Sequence, residues 1–197
     1  MKNLIIILSI LLIGCSENKK VKLKKKENKE FIKSYATQWI FPLGGLRAYG
    51  YYNAQKFTEN NHLGEDWNGM GGGNTDLGDS IQAIANGYVT FAKDLGGGWG
   101  NVIRITHYMT NGNQIESFYA HCNETHVKEN TWVKMGTNIG TVGNCGGMYP
   151  AHLHFEMRDK IGLPIGGGYS SETEGYINPT KFINDHKDCV DPIPTKH

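Results

Sequence analysis

No apolar run in this 197-residue sequence reaches the ~20 residues that a membrane-spanning helix needs. The longest, Leu4 to Ile13, is ten residues and is broken by Ser9. No internal repeat and no second linker divide the chain after Ser34, which leaves room for one ordinary domain with a real core. No stretch keeps a sustained helical period, so a helical bundle is excluded and helix is expected only around Pro179 to Asp185. Cysteine is scarce: the four residues include no Cys-x-x-Cys pair, which argues against a structural zinc knuckle. Formal charge is nearly balanced at +1. The residues from 34 onward are acidic, at −5 once Lys2 and the basic segment described below are set aside, so nucleic acid is not an expected partner.

Glycine is what the chain has in excess, with 26 residues, close to double the usual share of about 7%. The glycines fall in short clusters such as Gly71-Gly72-Gly73, Gly96-Gly97-Gly98 and Gly166-Gly167-Gly168, the pattern of tight turns between short strands. At the N-terminus, Lys2 followed by the apolar run reads as a secretory signal over residues 1–14. The run ends in Leu12-Ile13-Gly14-Cys15, which resembles the lipobox of bacterial lipoproteins. That resemblance implies cleavage before Cys15, acylation of Cys15 and attachment to a bacterial membrane with the domain exported to the periplasmic or extracellular side. The alternative is an ordinary secretory signal that contains a cysteine.

Residues 15–33 then form a lysine-rich tether, with eight lysines against three glutamates after Cys15. It either rests on anionic headgroups or wall polymer, or serves as a solvated spacer. The folded domain is expected over 34–197, and residues 34 to 61 either cover its groove or frame it. With Cys15 lipidated, Cys122, Cys145 and Cys189 remain, an odd number that permits one intramolecular pair. Cys122 and Cys145 are the better candidates for it.

Strand-like runs dominate the rest: Ser80 to Ala85, Tyr88 to Lys93, Asn101 to His107, Gln114 to His121, Asn138 to Val142 and His152 to Met157. Thr110-Asn111-Gly112 marks a hairpin between the third and fourth of them. The expected fold class is all-β, an antiparallel sheet that offers one face or groove to a ligand.

Chemistry concentrates in the histidines. In His152-Leu153-His154-Phe155-Glu156-Met157, strand alternation puts His152, His154 and Glu156 on one face and three apolar residues on the other. His62-Leu63-Gly64-Glu65-Asp66 adds a histidine and a carboxylate four residues apart, in what Asn60-Asn61 and the nearby glycines suggest is a loop. His62, Asp66 and one strand histidine give two nitrogens and one carboxylate oxygen, the donor set of a catalytic zinc with an open fourth position. The same set also suits non-haem iron. Spacing alone leaves open which strand histidine is the ligand.

Six segments in this order resemble the lysostaphin/LytM-like zinc metallopeptidases, which cleave peptide bonds in bacterial peptidoglycan. They are His62-Leu63-Gly64-Glu65-Asp66, Gly87-Tyr88-Val89, Gly98-Trp99-Gly100-Asn101, Tyr119-Ala120-His121, Val133 to Gly136 leading to Ile139-Gly140, and His152 to Glu156; Asn178-Pro179 matches the family's end. The resemblance covers roughly residues 41 to 183 and implies a lysostaphin/LytM sheet of the duplicated hybrid motif type. It also implies Zn2+ held by His62, Asp66 and His154, and catalytic histidines at His121 and His152. His152 is favoured as the base because it shares a strand with His154. Peptidoglycan is the implied partner and peptide-bond hydrolysis the implied activity. The alternative within the family is a non-catalytic wall-binding or amidase-activating module. Glu156 is either a hydrogen-bond acceptor for an imidazole or an exposed carboxylate. Trp99 and Tyr149 are candidate groove walls, and His107 and His126 are expected at the surface.

Overall fold

The computed structural model describes residues 35–188. The expected signal, Cys15, the expected tether and Cys189 lie outside the described residues. The described chain forms an antiparallel sheet with strands β1 (Tyr51–Gln55), β2 (Glu65–Gly69), β3 (Ser80–Gln82), β4 (Gly87–Asp94), β5 (Asn101–Tyr108), β6 (Gln114–Thr125), β7 (Trp132–Val133), β8 (Asn138–Val142), β9 (Leu153–Arg158) and β10 (Tyr176–Ile177). The main order is β1-β2-β9-β6-β5-β4-β7, with β10 on β9 and the β3–β8 pair joined to β6. One α-helix, α1 (Pro179–His186), follows β10, where the sequence places it. It starts cleanly: Pro179 sits in the first turn and the Asn178 side chain accepts from the Lys181 amide at 2.8 Å.

All six expected strands form, and the Asn111-Gly112 turn joins β5 to β6 with Met109 and Asn113 closing the loop at 2.9 Å. Strands β1, β2, β7 and β10 were not expected. They are two to five residues long, too short to show an alternation, and pairing with their neighbours makes them strands. The segment expected to be a loop through Asp66 is one only as far as Gly64; Asp66 lies on β2.

The central strands β5, β6 and β9 are buried on both faces, as strands covered on two sides must be. Their odd-numbered residues, among them Ile103, Ile105, Tyr119, Leu153, Phe155 and Met157, enter the main core with Trp39, Phe41 and Ile81. Their even-numbered residues carry a small apolar cluster of Val102, Phe118 and Ala120, and beside it buried Glu116, His154, Glu156 and Arg158. Residues 35–49 insert Trp39 and Leu43 into the main core, so the segment frames the sheet instead of covering the groove.

Candidate metal centre and active site

Strands β2 and β9 pair with Asp66 directly opposite His154, so register alone brings their side chains to one face. His62 reaches the same point from the turn before β2. Gly64 makes that approach feasible: a Cβ there would lie 2.7 Å from the Phe155 carbonyl oxygen and 2.8 Å from Glu156 Cγ. His62 Nε2 is 3.0 Å from His154 Nδ1, His154 Nδ1 is 3.1 Å from Asp66 Oδ1, and His62 Nε2 is 3.4 Å from that same oxygen. Among the described residues, these three are the group whose ligand atoms converge as a metal would require.

The donor chemistry fits a cation. Glu156 Oε1 lies 2.9 Å from His154 Nε2 and accepts its proton, which leaves the Nδ1 lone pair aimed at Asp66 and His62. Two imidazole nitrogens and a carboxylate oxygen then crowd one point with no positive charge between them. Burial would lift the Asp66 carboxyl, yet the imidazoles of His154, His62 and His152 hold it below its usual range. Burial would lower the His154 imidazole, but Asp66 and Glu156 raise it to about 9. The pocket therefore calls for a positive charge, which a divalent metal supplies as well as a proton does. Glu156 is fully buried, so the exposed reading of it is set aside.

His121 arrives by a different device. Asn101 pairs with Cys122 and Ile103 with Tyr119, so β6 carries one extra residue at this point, a β-bulge. His121 occupies that bulge with φ 59°, a left-handed conformation rare for a residue with a side chain. Strict alternation would send His121 into the main core; the bulge gives that place to Cys122 and turns His121 toward the site. Its ring centroid is 4.7 Å from that of His152 and 5.7 Å from that of His154. Burial, followed by the neighbouring imidazoles, pushes His121 down to about 3, so it is a neutral ring.

His152 sits just before β9, bridged to Gly143. Its Nδ1 donates to the Pro150 carbonyl at 2.8 Å, which leaves Nε2 as the free lone pair, 3.9 Å from Asp66 Oδ1. Gly143 thus lies between both histidines: a Cβ on it would meet the His121 carbonyl oxygen at 2.3 Å and the Asn123 nitrogen at 2.6 Å. Gly143→Ala is expected to destabilise the fold by about 1–3 kcal/mol through this overpacking. It should also lower activity, because the backbone that must yield is the backbone that places His121 and His152. Thermal unfolding followed by an activity assay checks both effects.

Cys122 and Cys145, the candidates for a single pair, are not bonded to each other. Both are free thiols. Cys122 packs in the core, while Cys145 Sγ lies 3.4 Å from His121 Nδ1 and 3.4 Å from the Gly98 carbonyl oxygen.

A cavity of about 450 Å³ opens beside the cluster, walled by Trp99, Tyr149 and Tyr169. Trp99 stacks on His121 at 6.0 Å and donates from Nε1 to the Gly166 carbonyl at 3.2 Å, so it both packs and lines the groove. Tyr169 stacks on His62 at 5.0 Å. Sequence reasoning missed Tyr169 and the 162–168 loop that leads to it, because a glycine-rich loop has no periodicity to reveal what it faces. His107 is not at the surface: it is fully buried, bonded to the Asn86 carbonyl at 3.0 Å and to Ser117 Oγ at 2.7 Å. His126 lies off the site and is exposed, as the sequence suggests, with Glu124 and Asn138 as its partners.

The sequence model of peptidase family M23 matches residues 61–166, more than half of the chain and all five candidate residues. Over 83 residues the chain is 40% identical to a protein named lipoprotein NlpD of Yersinia enterocolitica, a stretch that covers 42% of this chain and 80% of that one. Over 83 residues it is 39% identical to the murein hydrolase activator NlpD of Escherichia coli, covering 42% of this chain and 21% of that protein. The chain therefore spans about a fifth of the length of the latter relative. The solution structure of lysostaphin superposes with a TM-score of 0.52 at 22% identity, covering 83% of this chain and 61% of that one. That likeness concerns the fold alone.

Proposed function

This chain belongs to peptidase family M23, and from that premise we propose that it is a zinc-dependent endopeptidase acting on peptide bonds in bacterial peptidoglycan. The observation that carries the reading is the convergence of His62 Nε2, Asp66 Oδ1 and His154 Nδ1 beside two further histidines in one groove. In this reading His62, Asp66 and His154 hold the metal. Zinc, when bound, would supply a water of pKa ~7 and a Lewis acid for the scissile carbonyl.

The remaining work falls to the chain's own groups. His152 acts as the base through Nε2, whose lone pair is kept free by the bond from Nδ1 to the Pro150 carbonyl. Neutral His121, beside it on the same cavity, donates to the oxygen that gains negative charge as the carbonyl is attacked. Trp99 and Tyr149 flank the substrate backbone and exclude water from one side. The names of the relatives, a lipoprotein and a murein hydrolase activator, fit a domain held in the cell envelope by an acylated Cys15. Among the described residues no helix is long and apolar enough to cross a membrane.

A second reading, a wall-binding module that activates another hydrolase, is favoured by the activator name of the Escherichia coli relative. Purified protein loaded with zinc and incubated with peptidoglycan decides between them. New muropeptides in the digest, detected by mass spectrometry and abolished by chelator, are the expected result. A zinc-loaded, folded protein that yields none overturns the endopeptidase reading in favour of the activator.

A further inference from the structure

We propose that Arg158 is a positioning residue shared by the metal site and the groove wall, so that one buried guanidinium couples metal binding to substrate binding. The inference rests on His62, Asp66 and His154 being the metal ligands. It starts from the charged residues on the face of the sheet opposite the main core. Four of their side chains are continuous with His154: Glu156, Arg158, Glu116 and Arg104.

On one side Arg158 works toward the metal. Its Nη2 and Nε donate to Glu156 Oε2 at 2.6 and 2.9 Å, while the other oxygen of Glu156 accepts from His154 Nε2 at 2.9 Å. The two bonds from the guanidinium to one carboxylate oxygen fix the plane of Glu156, and a Glu156 so oriented holds His154 Nε2 at its other oxygen and thereby keeps Nδ1 facing the site.

On the other side the same guanidinium works toward the groove. Nη1 donates to the carbonyls of Leu163 and Pro164 at 3.2 and 3.5 Å and to Glu116 Oε1 at 3.4 Å. Arg104 Nη2 shares the Leu163 carbonyl at 3.1 Å and holds Glu116 at 2.7 and 2.8 Å, and the Gly162 amide donates to Glu116 at 3.4 Å. The two arginines and Glu116 therefore clamp one end of the 162–168 loop. The other end of that loop is the groove wall. The Gly166 carbonyl receives the Trp99 indole, the Gly168 carbonyl receives the Leu63 amide at 2.9 Å, and Tyr169 lies on His62.

Geometry requires arginine for this. Its plane is held between the Phe118 and Tyr176 rings at 4.8 and 5.0 Å, and its separate nitrogens serve Glu156 and the loop at once. A lysine ammonium is a point charge and cannot span both.

Three conservative substitutions separate the two arms, each checked for a native circular dichroism spectrum. Zinc affinity is measured by chelator competition, and affinity for soluble muropeptides by calorimetry on the zinc-loaded protein. Glu156→Gln should weaken zinc by roughly 10–100-fold, the usual effect of losing an outer-shell partner, and leave muropeptide affinity unchanged. Glu116→Gln should do the reverse, weakening muropeptide binding and raising KM several-fold with zinc affinity and kcat intact. Arg158→Lys should show both effects in one protein.

An Arg158→Lys protein that shifts only one affinity overturns the coupling. So does a pair of glutamine variants that move the same affinity, and this second result decides the matter if Arg158→Lys does not fold. A wild-type protein that binds no zinc overturns the proposed function and this inference with it. A wild type that binds zinc but cuts nothing overturns only the endopeptidase reading, because the coupling is read by binding.

Discussion

His154→Ala should abolish zinc binding and reduce hydrolysis to background while leaving the domain folded. His154 is the geometric centre of the site, 3.0 Å from His62 and 3.1 Å from Asp66, so its loss leaves two donors where a catalytic zinc uses three. The drop in zinc affinity should exceed the ~10–100-fold expected for an outer-shell residue such as Glu156. The fold should survive because Glu156 retains Arg158 at 2.6 Å, so no buried carboxylate is left without a cation. Thermal unfolding with and without zinc makes the contrast visible. At about 100 times its Kd, zinc should add about 2.7 kcal/mol to the stability of the wild type. It should add nothing to His154→Ala. Equal stabilisation of both proteins by zinc would show that the metal sits elsewhere.

The second large effect is a separation of metal binding from catalysis. His152→Ala and His121→Ala should both bind zinc with near wild-type affinity and both lose activity. Neither histidine is needed to complete the ligand set, and each faces the cavity from beside it. Removing the base should cost kcat roughly 10²–10⁴-fold, and removing a donor to the developing oxyanion roughly 10²–10³-fold. The roles differ in a way that a second substitution exposes. His152 owes its free Nε2 to the bond between Nδ1 and the Pro150 carbonyl, so an uncharged hydrogen-bond donor such as Gln at 152 should not rescue proton abstraction. At 121 a Gln should restore part of the lost rate, because in the proposed reaction donation rather than proton uptake is the task there. Rescue at 152 and none at 121 would reverse the two assignments, and loss of zinc from either alanine variant would move that histidine into the ligand set.

How much of this was legible in the sequence depends on the distance over which each feature is determined. The strands β4, β5, β6, β8 and β9 were legible because alternation and β-branched residues are local properties of a half-dozen residues. Strands β1 and β2 were not, since their pairing is set by contact with β9 and with each other. The hexapeptide His152 to Met157 announced two imidazoles and a carboxylate on one face. The same alternation continues to Arg158, which adds a guanidinium to that face. His107 shows the converse. A histidine at a strand end reads as surface, but here neighbouring layers bury it and Ser117 and Asn86 satisfy it.

By itself the sequence determined the class of fold, the candidate donor types and their order along the chain, because those follow from residue identity and short-range periodicity. Which donors meet was decided by tertiary structure. Asp66 faces His154 through the register of β2 on β9, a long-range pairing that no local pattern specifies. His121 faces the site only because a bulge in β6 exchanges its direction with that of Cys122, and a bulge is stable only where Gly143 and Asn101 on neighbouring segments accept it. The free thiols follow from the same bulge: it buries Cys122 in the core and leaves Cys145 against His121. Whether Glu156 is exposed or buried, open from sequence alone, was decided by the packing around it, where Arg158 holds it beneath a loop whose position the sequence does not encode locally.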